Sequence, residues 1–274
     1  MKRNLLSLAV AMVAIACASA QTAPAGVQAV DLDLPSGLKW ATMNVGATAP
    51  EAYGDYFAWG ETETKTNYTW NNYKFTTDGG TTFTKYTETD GKLKLDPEDD
   101  AAAVNWGGKW RMPTQVNWTE LRENCTWTWT SRNGVNGYEV KGKNGNSIFL
   151  PAAGYRDGNK LSYDNSYGNY WSGSLSTDNP DNAWLVYLGS YTVDRVFGYR
   201  CRGLSVRPVQ EGSTSTALQP AESVAIHAEN GRVVCEEDFR IYDLLGRDVT
   251  KMNGSLNGVY VVKTADAAQK VVVK

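Results

Sequence analysis

The sequence predicts an α+β fold with few helices and long loops, followed by a small all-β domain. The first reason is composition, because 10 Trp, 15 Tyr and 26 Gly among 274 residues favour short strands joined by ordered loops. The second is that the candidate strands are short and are separated by Gly, Asn and Asp. The third is Asn230-Gly231 between two short apolar runs, a pair typical of a two-residue hairpin.

An N-terminal export signal is predicted first along the chain. Lys2 and Arg3 precede an apolar run, and Ala18-Ser19-Ala20 supplies the small residues that signal peptidase requires, so we expect a signal peptide at 1–20. A retained N-terminal anchor and a lipid on Cys17 are the alternatives. We expect no transmembrane segment in the mature chain. The remaining segments are a linker at 21–29, a main domain at 30–209, a linker at 210–222 and a terminal domain at 223–274.

Within the main domain, hydrophobic patterning predicts two helices and seven strands. Thr114 can cap the longer helix, whose apolar side would carry Val116, Trp118 and Leu121, while Asn117 stands where Glu would complete a capping box. The predicted helices are 101–106 and 114–124, and the predicted strands are 39–43, 56–59, 137–141, 147–152, 170–174, 183–188 and 205–208. For the terminal domain the predicted strands are 224–228, 232–235, 239–244, 258–263 and 270–274.

Charge and motif content exclude several classes of function. The formal net charge is −3 with acids and bases interspersed, which argues against nucleic acid as a partner. The only histidine, His227, lies in the predicted terminal domain, so the main domain has none for a catalytic triad or a His-Glu-x-x-His zinc motif. Neither glycine-rich nucleotide-binding motif occurs. We therefore predict no catalytic residue, no metal site and no cofactor.

The terminal domain resembles the C-terminal sorting domain of the type IX secretion system of Bacteroidetes. The resemblance is carried by three segments that span nearly all of this domain, Ile-Tyr-Asp-Leu-Leu-Gly-Arg at 241–247, Gly-Val-Tyr-Val-Val-Lys at 258–263 and Lys-Val-Val-Val-Lys at 270–274. It implies that the type IX secretion machinery is a partner and that the protein is secreted or held on the outer-membrane surface. An ordinary β accessory domain is the alternative.

Similar segments link the main domain to the major paralogous domain proteins of Bacteroidetes and Fibrobacter, whose fold is C-type-lectin-like. The matching segments are Leu-Pro-Ser-Gly-Leu-Lys-Trp-Ala-Thr at 34–42, Asn-Val-Gly-Ala at 44–47, Gly-Asp-Tyr-Phe-Ala-Trp-Gly-Glu at 54–61, Trp-Arg-Met-Pro-Thr at 110–114, Leu-Pro-Ala-Ala-Gly-Tyr-Arg at 150–156, Tyr-Trp-Ser at 170–172 and Ser-Val-Arg-Pro-Val at 205–209. Met43 stands where that family often carries Cys. Cys125 and Cys201 could form a disulfide, remain buried free thiols, or act as the cysteine pair of formylglycine-generating enzymes does.

The stretch from 155 to 202 is the predicted binding face. It mixes Tyr, Asn, Asp, Ser and Gly as antibody paratopes do, and it resembles the variable part of lectin-fold proteins that diversity-generating retroelements alter. Trp171, Trp184 and Val186 are expected in the core. The exposed candidates for ligand contact are Tyr155, Asp157, Asn159, Tyr163, Asp164, Asn165, Tyr167, Tyr191, Asp194, Arg195, Tyr199 and Arg202.

These observations favour a secreted or cell-surface binding or adhesion module that recognises an extracellular glycan or protein. The first alternative is an enzyme acting on extracellular polysaccharide, since Asp55, Glu61 and Glu63 could supply the paired carboxylates of a glycosidase. The second alternative is a fimbria-associated structural protein without a dedicated ligand.

Overall fold

The computed structural model describes residues 22–87, 90–176, 179–212, 226–235, 239–243, 245–264 and 268–273. These residues form two compact units, which part after Gly212. The predicted signal peptide, its Cys17 and most of the predicted linker at 210–222 lie outside the described residues. Neither helix within these ranges combines the length and the apolar character that a membrane crossing requires.

Few helices and many strands make up a mixed fold, with the strands distributed over several small sheets and no closed barrel among the described residues. The helices are α1 (Ala101–Trp106) and α2 (Gln115–Asn124), and short 3₁₀ turns cover Trp70–Asn72, Pro97–Asp99 and Thr250–Met252. The strands are β1 (Ala29–Asp31), β2 (Lys39–Ala41), β3 (Tyr56–Phe57), β4 (Thr126–Arg132), β5 (Val135–Lys141), β6 (Ser147–Pro151), β7 (Tyr155–Asp157), β8 (Lys160–Ser162), β9 (Gly168–Leu175), β10 (Asn182–Gly189), β11 (Thr192–Tyr199), β12 (Leu204–Ser205), β13 (Val209–Gln210), β14 (His227–Glu229), β15 (Arg232–Val234), β16 (Arg240–Tyr242), β17 (Gly258–Lys263) and β18 (Ala268–Val273).

Helix α2 begins at the predicted position, with Thr114 as its N-cap. Thr114 Oγ1 accepts from the Asn117 backbone N–H at 3.3 Å, and Asn117 Oδ1 accepts from the Thr114 N–H at 3.0 Å. The expectation of an incomplete capping box is therefore wrong, because the Asn amide reaches back as Glu would. Trp118 and Leu121 are buried as predicted, whereas Val116 is 50% exposed. Val116 lies two residues before Trp118, which is about 200° around the helix.

A five-stranded sheet, in the order β11-β10-β9-β12-β3, separates two hydrophobic cores of the larger unit. Neighbouring residues of a strand point to opposite faces. Accordingly, Trp171 of β9 joins the first core with Trp59, while Tyr170 joins the second core with Trp118 of α2. The predicted strands at 170–174 and 183–188 are confirmed within β9 and β10. Helix α2 lies against β9, β10 and β11, on the side of the second core.

Six strands of this unit were not predicted, β1, β4, β7, β8, β11 and β13, and the two longest of them are β11 and β4. Strand β11 pairs with β10 through all eight residues, from Thr192 to Tyr199, yet most of its side chains are exposed. It forms an edge of the sheet. Few of its side chains are buried, so its sequence shows no alternation of apolar and polar residues. Strand β4 pairs with β5 and carries Trp127 and Trp129 on its partly buried face.

The cysteines are all free thiols among the described residues. Cys201 is buried in the first core, and Cys125 packs against the second core. The possible disulfide between them is therefore wrong in this structure, since each thiol belongs to a different core. Burial raises the pKa of Cys201 to about 12 and that of Cys125 to about 11. Both thiols stay protonated at neutral pH, which does not favour nucleophilic chemistry.

The smaller unit consists of a two-stranded hairpin and a three-stranded antiparallel sheet. The hairpin β14–β15 turns at Asn230 and Gly231, whose φ angles of 49° and 75° are those of the predicted two-residue turn. Strands β16, β17 and β18 form the sheet, and Ile241, Val262 and Val271 lie in the core of the unit. Residues 224–225, Leu244 and Lys274 of the predicted strands lie outside the described residues.

Candidate functional site

A cleft of about 180 Å³ lies between the hairpin β7–β8 and strands β9, β10 and β11. We call it the tyrosine cleft. Its aromatic and polar lining residues are Tyr155, Tyr167, Asn169, Tyr187, Phe197 and Arg202. Asn169 of β9 pairs with Tyr187 of β10 across the sheet, so both side chains stand on the face of the sheet that also carries Trp171.

Stacked tyrosine rings form one wall of the tyrosine cleft and extend beyond it. The ring of Tyr163 lies 4.5 Å from that of Tyr167 and 5.9 Å from that of Tyr155, with interplanar angles of 22° and 29°. Tyr167 in turn lies 5.2 Å from Tyr187. Burial and a hydrogen bond with Tyr163 raise the pKa of Tyr167. Its hydroxyl therefore stays neutral at physiological pH and can both donate and accept hydrogen bonds.

Arg202 supplies a cation at the edge of the cleft. Its guanidinium lies 5.2 Å from the ring centre of Tyr155 and 5.2 Å from that of Tyr199. One carboxylate oxygen of Asp157 accepts from Arg202 Nε at 3.1 Å. The side chain of Arg202 remains 33% exposed. The planar guanidinium thus has N–H groups that face solvent beside an aromatic wall.

Asn169 is the polar group buried beneath these rings. Its exposed fraction is 8%, and its amide nitrogen Nδ2 has no hydrogen-bond partner among the described residues. A buried polar group without a partner costs about 1–3 kcal/mol. An oxygen of a bound molecule could accept from Nδ2 and remove that cost.

The loop at 163–166 fixes the position of the exposed tyrosine ring. Tyr163 and Asn165 have φ angles of 61° and 59°, a left-handed conformation that is unusual for a bulky side chain. Asn165 holds the loop in place, because its N–H donates to the Ala152 carbonyl and its Oδ1 accepts from the Asn136 N–H, both at 2.7 Å. Strain that the surroundings maintain in this way is often found at functional sites.

Half of the predicted contact residues are thus brought together. The residues in or beside the tyrosine cleft are Tyr155, Asp157, Tyr163, Tyr167, Tyr199 and Arg202. Asn165 shapes the loop through its own hydrogen bonds, and Asp164 is exposed in the same loop. Asn159 lines a different cleft on the other side of the hairpin β7–β8.

The remaining three candidates lie on the β10–β11 hairpin, and the structure does not bring them to the cleft. Tyr191 is fully exposed at the turn of this hairpin. Asp194 accepts a hydrogen bond from Thr192 at 2.7 Å. Arg195 donates to Thr119 Oγ1 on α2 at 3.2 Å.

Sequence reasoning missed three of the six aromatic and polar lining residues, Asn169, Tyr187 and Phe197. Tyr187 lies within a predicted strand, and its spacing of two from the buried Leu185 could have placed it on the same face. Trp171 and Val186 are buried as expected, but Trp184 is only partly buried. Its ring packs 6.0 Å from that of Phe197, outside both cores.

Four carboxylates elsewhere in the larger unit, those of Glu61, Asp96, Glu98 and Asp99, are engaged in the fold. Glu61 forms an ion pair with Lys65 at 2.7 Å and accepts from the Lys74 N–H at 2.8 Å. The oxygens of the acidic group Asp96, Glu98 and Asp99 lie within 4.8 Å of one another. Lysine side chains occupy this group, since Lys85 contacts all three carboxylates and Lys74 and Lys92 contact one each.

No protein-family model, curated protein or solved structure matches this chain.

Proposed function

We propose that this protein is a secreted or cell-surface binding module that recognises an extracellular glycan in the tyrosine cleft. The observation that carries the proposal is the unpartnered buried amide of Asn169 below a wall of stacked tyrosine rings. Sugar rings have apolar C–H faces that pack on aromatic rings and hydroxyl groups that accept and donate hydrogen bonds. Binding sites of this kind combine mostly apolar walls with a few placed polar groups.

Each part of the ligand has a counterpart in this arrangement. A sugar hydroxyl can accept from Asn169 Nδ2, while Arg202 donates to a second oxygen and Asp157 accepts from a third group. The wall of stacked tyrosine rings offers an apolar surface to the C–H side of the sugar. The volume of about 180 Å³ is below the roughly 300–1,000 Å³ of common small-molecule pockets. It suits one ring of a longer glycan chain better than a whole oligosaccharide.

We also propose a C-type-lectin-like fold for the larger unit and a type IX secretion sorting role for the smaller one. The support for both is the order and spacing of the motifs in the sequence. The mixed architecture with few helices and long loops is compatible with the first. The small all-β unit, whose only histidine is exposed, is compatible with the second. Export through this route would place the tyrosine cleft among extracellular glycans.

A glycan array probed with the full chain tests the proposal. We expect saturable binding to a subset of glycans and at least a tenfold loss of affinity in Tyr163→Ala, because an aromatic contact contributes ~1–3 kcal/mol to binding. Tyr191→Ala is the matched control, since it removes a fully exposed tyrosine outside the cleft. An array without signal, or equal losses in both variants, would contradict the proposal. Release of shortened glycans by the full chain would favour the polysaccharide-acting enzyme instead.

A further inference from the structure

A second cleft, of about 490 Å³, lies on the other side of the hairpin β7–β8. We call it the polar cleft, because most of its lining groups are charged, hydroxyl or amide side chains. The charged, amide and threonine residues of the lining are Asp55, Thr64, Lys65, Thr66, Arg156 and Asn159. Arg156 directly follows Tyr155 in β7, and neighbouring strand residues point to opposite faces. The same strand therefore contributes to both clefts.

Arg156 is the partly buried cation of the polar cleft. Its guanidinium lies 5.2 Å from the ring centre of Tyr56, and Tyr56 is buried. It makes no side-chain hydrogen bond or ion pair with any described residue. A guanidinium carries five N–H donors in a planar fork that matches carboxylate, sulfate and phosphate oxygens. Arg156 is thus held in place by an aromatic ring while its donors remain available.

The other cation of this cleft is already engaged. Lys65 Nζ lies 2.7 Å from a carboxylate oxygen of Glu61 and donates to the Asn72 carbonyl at 3.1 Å. One available cation among these lining residues fits a ligand with a single anionic group. A polyphosphate or a nucleic acid would need several such cations.

Acceptors and neutral groups complete the lining. The carboxylate of Asp55 is exposed and has no hydrogen bond or ion pair with a described residue, so it can accept from ligand hydroxyls. Thr64, Thr66 and Asn159 are exposed and can donate or accept. An anionic group beside several hydroxyls is the chemistry of an acidic sugar.

We propose that the polar cleft binds an acidic sugar unit, whose carboxylate or sulfate group is held by Arg156. This site is separate from the tyrosine cleft, and the proposal does not depend on glycan binding there. The carboxylate would accept from two guanidinium N–H groups, as in bidentate arginine pairs. Hydroxyls of the same sugar would donate to Asp55 and contact Asn159.

Titration of the full chain with three monosaccharides, followed by NMR, tests the proposal. The probes are D-glucuronate, D-glucose 6-sulfate and D-glucose. We expect at least one of the two anionic sugars to bind at least tenfold more tightly than D-glucose, which corresponds to ~1.4 kcal/mol. Comparison of the two anionic probes identifies the anionic group. We also expect this preference to weaken as ionic strength rises.

Two variants assign the anionic group to Arg156. Arg156→Gln should lower the affinity for the preferred anionic sugar about tenfold and leave that for D-glucose unchanged. Asn159→Asp changes an exposed turn residue, so the fold is preserved, and the added negative charge should also weaken binding of the anionic sugar. Ser190→Asp is the matched control, because it places the same charge on an exposed turn that lines neither cleft.

Three results would overturn the proposal. They are equal affinity for the charged and neutral sugars, no effect of both Arg156→Gln and Asn159→Asp, and equal effects of Asn159→Asp and Ser190→Asp. Tyr163→Ala separates this proposal from that for the tyrosine cleft. It should leave binding of the anionic monosaccharide unchanged, and a loss in this variant would place the anionic sugar in the tyrosine cleft instead.

Discussion

Arg200 and Arg202 are two residues apart and both lie among aromatic rings, but their surroundings differ. Arg200 is fully buried. Its guanidinium contacts four rings, and its N–H groups donate to the Tyr73 hydroxyl and to the carbonyls of Lys85, Tyr86 and Pro180 at 2.9–3.2 Å. Arg202 contacts two rings and one carboxylate, and its side chain is 33% exposed.

The difference shows how one combination of residues can serve either the fold or a site. Around Arg200 four hydrogen bonds use most of the donors. This arginine therefore ties the segment at 73–86 to Pro180. Around Arg202 donors remain, and the neighbouring Asn169 amide lacks a partner. Buried polar atoms without a partner also occur at Trp40 and Ser176. The feature that distinguishes the tyrosine cleft from the interior is therefore an unpartnered amide beside exposed aromatic rings and a partly exposed cation.

The largest effect is expected from removing the buried cation. Arg200→Leu should destabilise the larger unit by about 3–5 kcal/mol, because it leaves two buried and two partly buried acceptors without this donor. Arg202→Leu should change stability by less than ~1 kcal/mol. All ten tryptophans lie between residues 40 and 184, so urea unfolding followed by tryptophan fluorescence reports this unit alone. Similar losses in the two variants would remove the distinction between the two arginines.

A second prediction concerns the carboxylate next to the Arg200 cluster. Burial alone would raise the pKa of Asp99, but hydrogen bonds from Lys74, Lys85 and Tyr86 outweigh it and hold the pKa below its ordinary value. A carboxylate with a lowered folded-state pKa stabilises the fold above its unfolded pKa of ~3.9, and this contribution is lost as pH falls through the folded pKa. Asp99→Asn should cost about 1–3 kcal/mol at pH 7 and reduce the loss of stability on acidification. An unchanged pH profile in urea unfolding would contradict this assignment.

The third prediction separates stability from binding at Asn169. Asn169→Leu should raise the free energy of unfolding by about 1–2 kcal/mol, because it replaces an unpartnered buried amide with an apolar group of similar size. The same variant should lose glycan binding. Asn165→Leu is the control. It should lower the free energy of unfolding, since the Asn165 amide oxygen accepts a hydrogen bond from the backbone N–H of Asn136. Destabilisation by Asn169→Leu would show that this amide serves the fold.

The smallest effect is expected from the strained backbone of the exposed tyrosine. Tyr163→Ala and Tyr163→Gly remove the same ring, but only glycine adopts a φ of 61° without steric cost. The glycine variant should therefore be about 1 kcal/mol more stable than the alanine variant. Equal unfolding midpoints of the alanine and glycine variants would contradict a strained backbone at residue 163. Equal losses of glycan affinity in the two variants would show that the tyrosine ring makes the contact.

Local signals in the sequence predicted the elements whose causes are local. Thr114 began the longer helix, and Asn230-Gly231 formed the hairpin, because capping and turn geometry depend on neighbouring residues. Strand β11 was missed because its exposed side chains, such as Asp194 and Arg195, carry no burial pattern. The two-residue turn that joins it to β10 is Ser190-Tyr191, which is not one of the residue pairs that signal a hairpin.

The candidate site was predicted in part for the same reason. Composition identified the stretch rich in tyrosine, and Tyr155, Tyr163 and Tyr167 do stack. Asn169 could not be found from the sequence, since its lack of a partner depends on the strands and loops around it. The assignment of Asn165 to ligand contact overlooked the distant Asn136, whose backbone N–H donates to its side chain.

NMR of the full chain, titrated with the glycan that gives the strongest array signal, tests the account most directly. The side-chain amide of Asn169 and the Nε–H of Arg202 should shift together and saturate at one dissociation constant. The Nε–H of Arg200 should not move, because this side chain is fully buried and does not line the tyrosine cleft. A glycan that binds without shifting Asn169 or Arg202, or that shifts Arg200 equally, would contradict the claim that the unpartnered Asn169 amide and the partly exposed Arg202 mark the binding site.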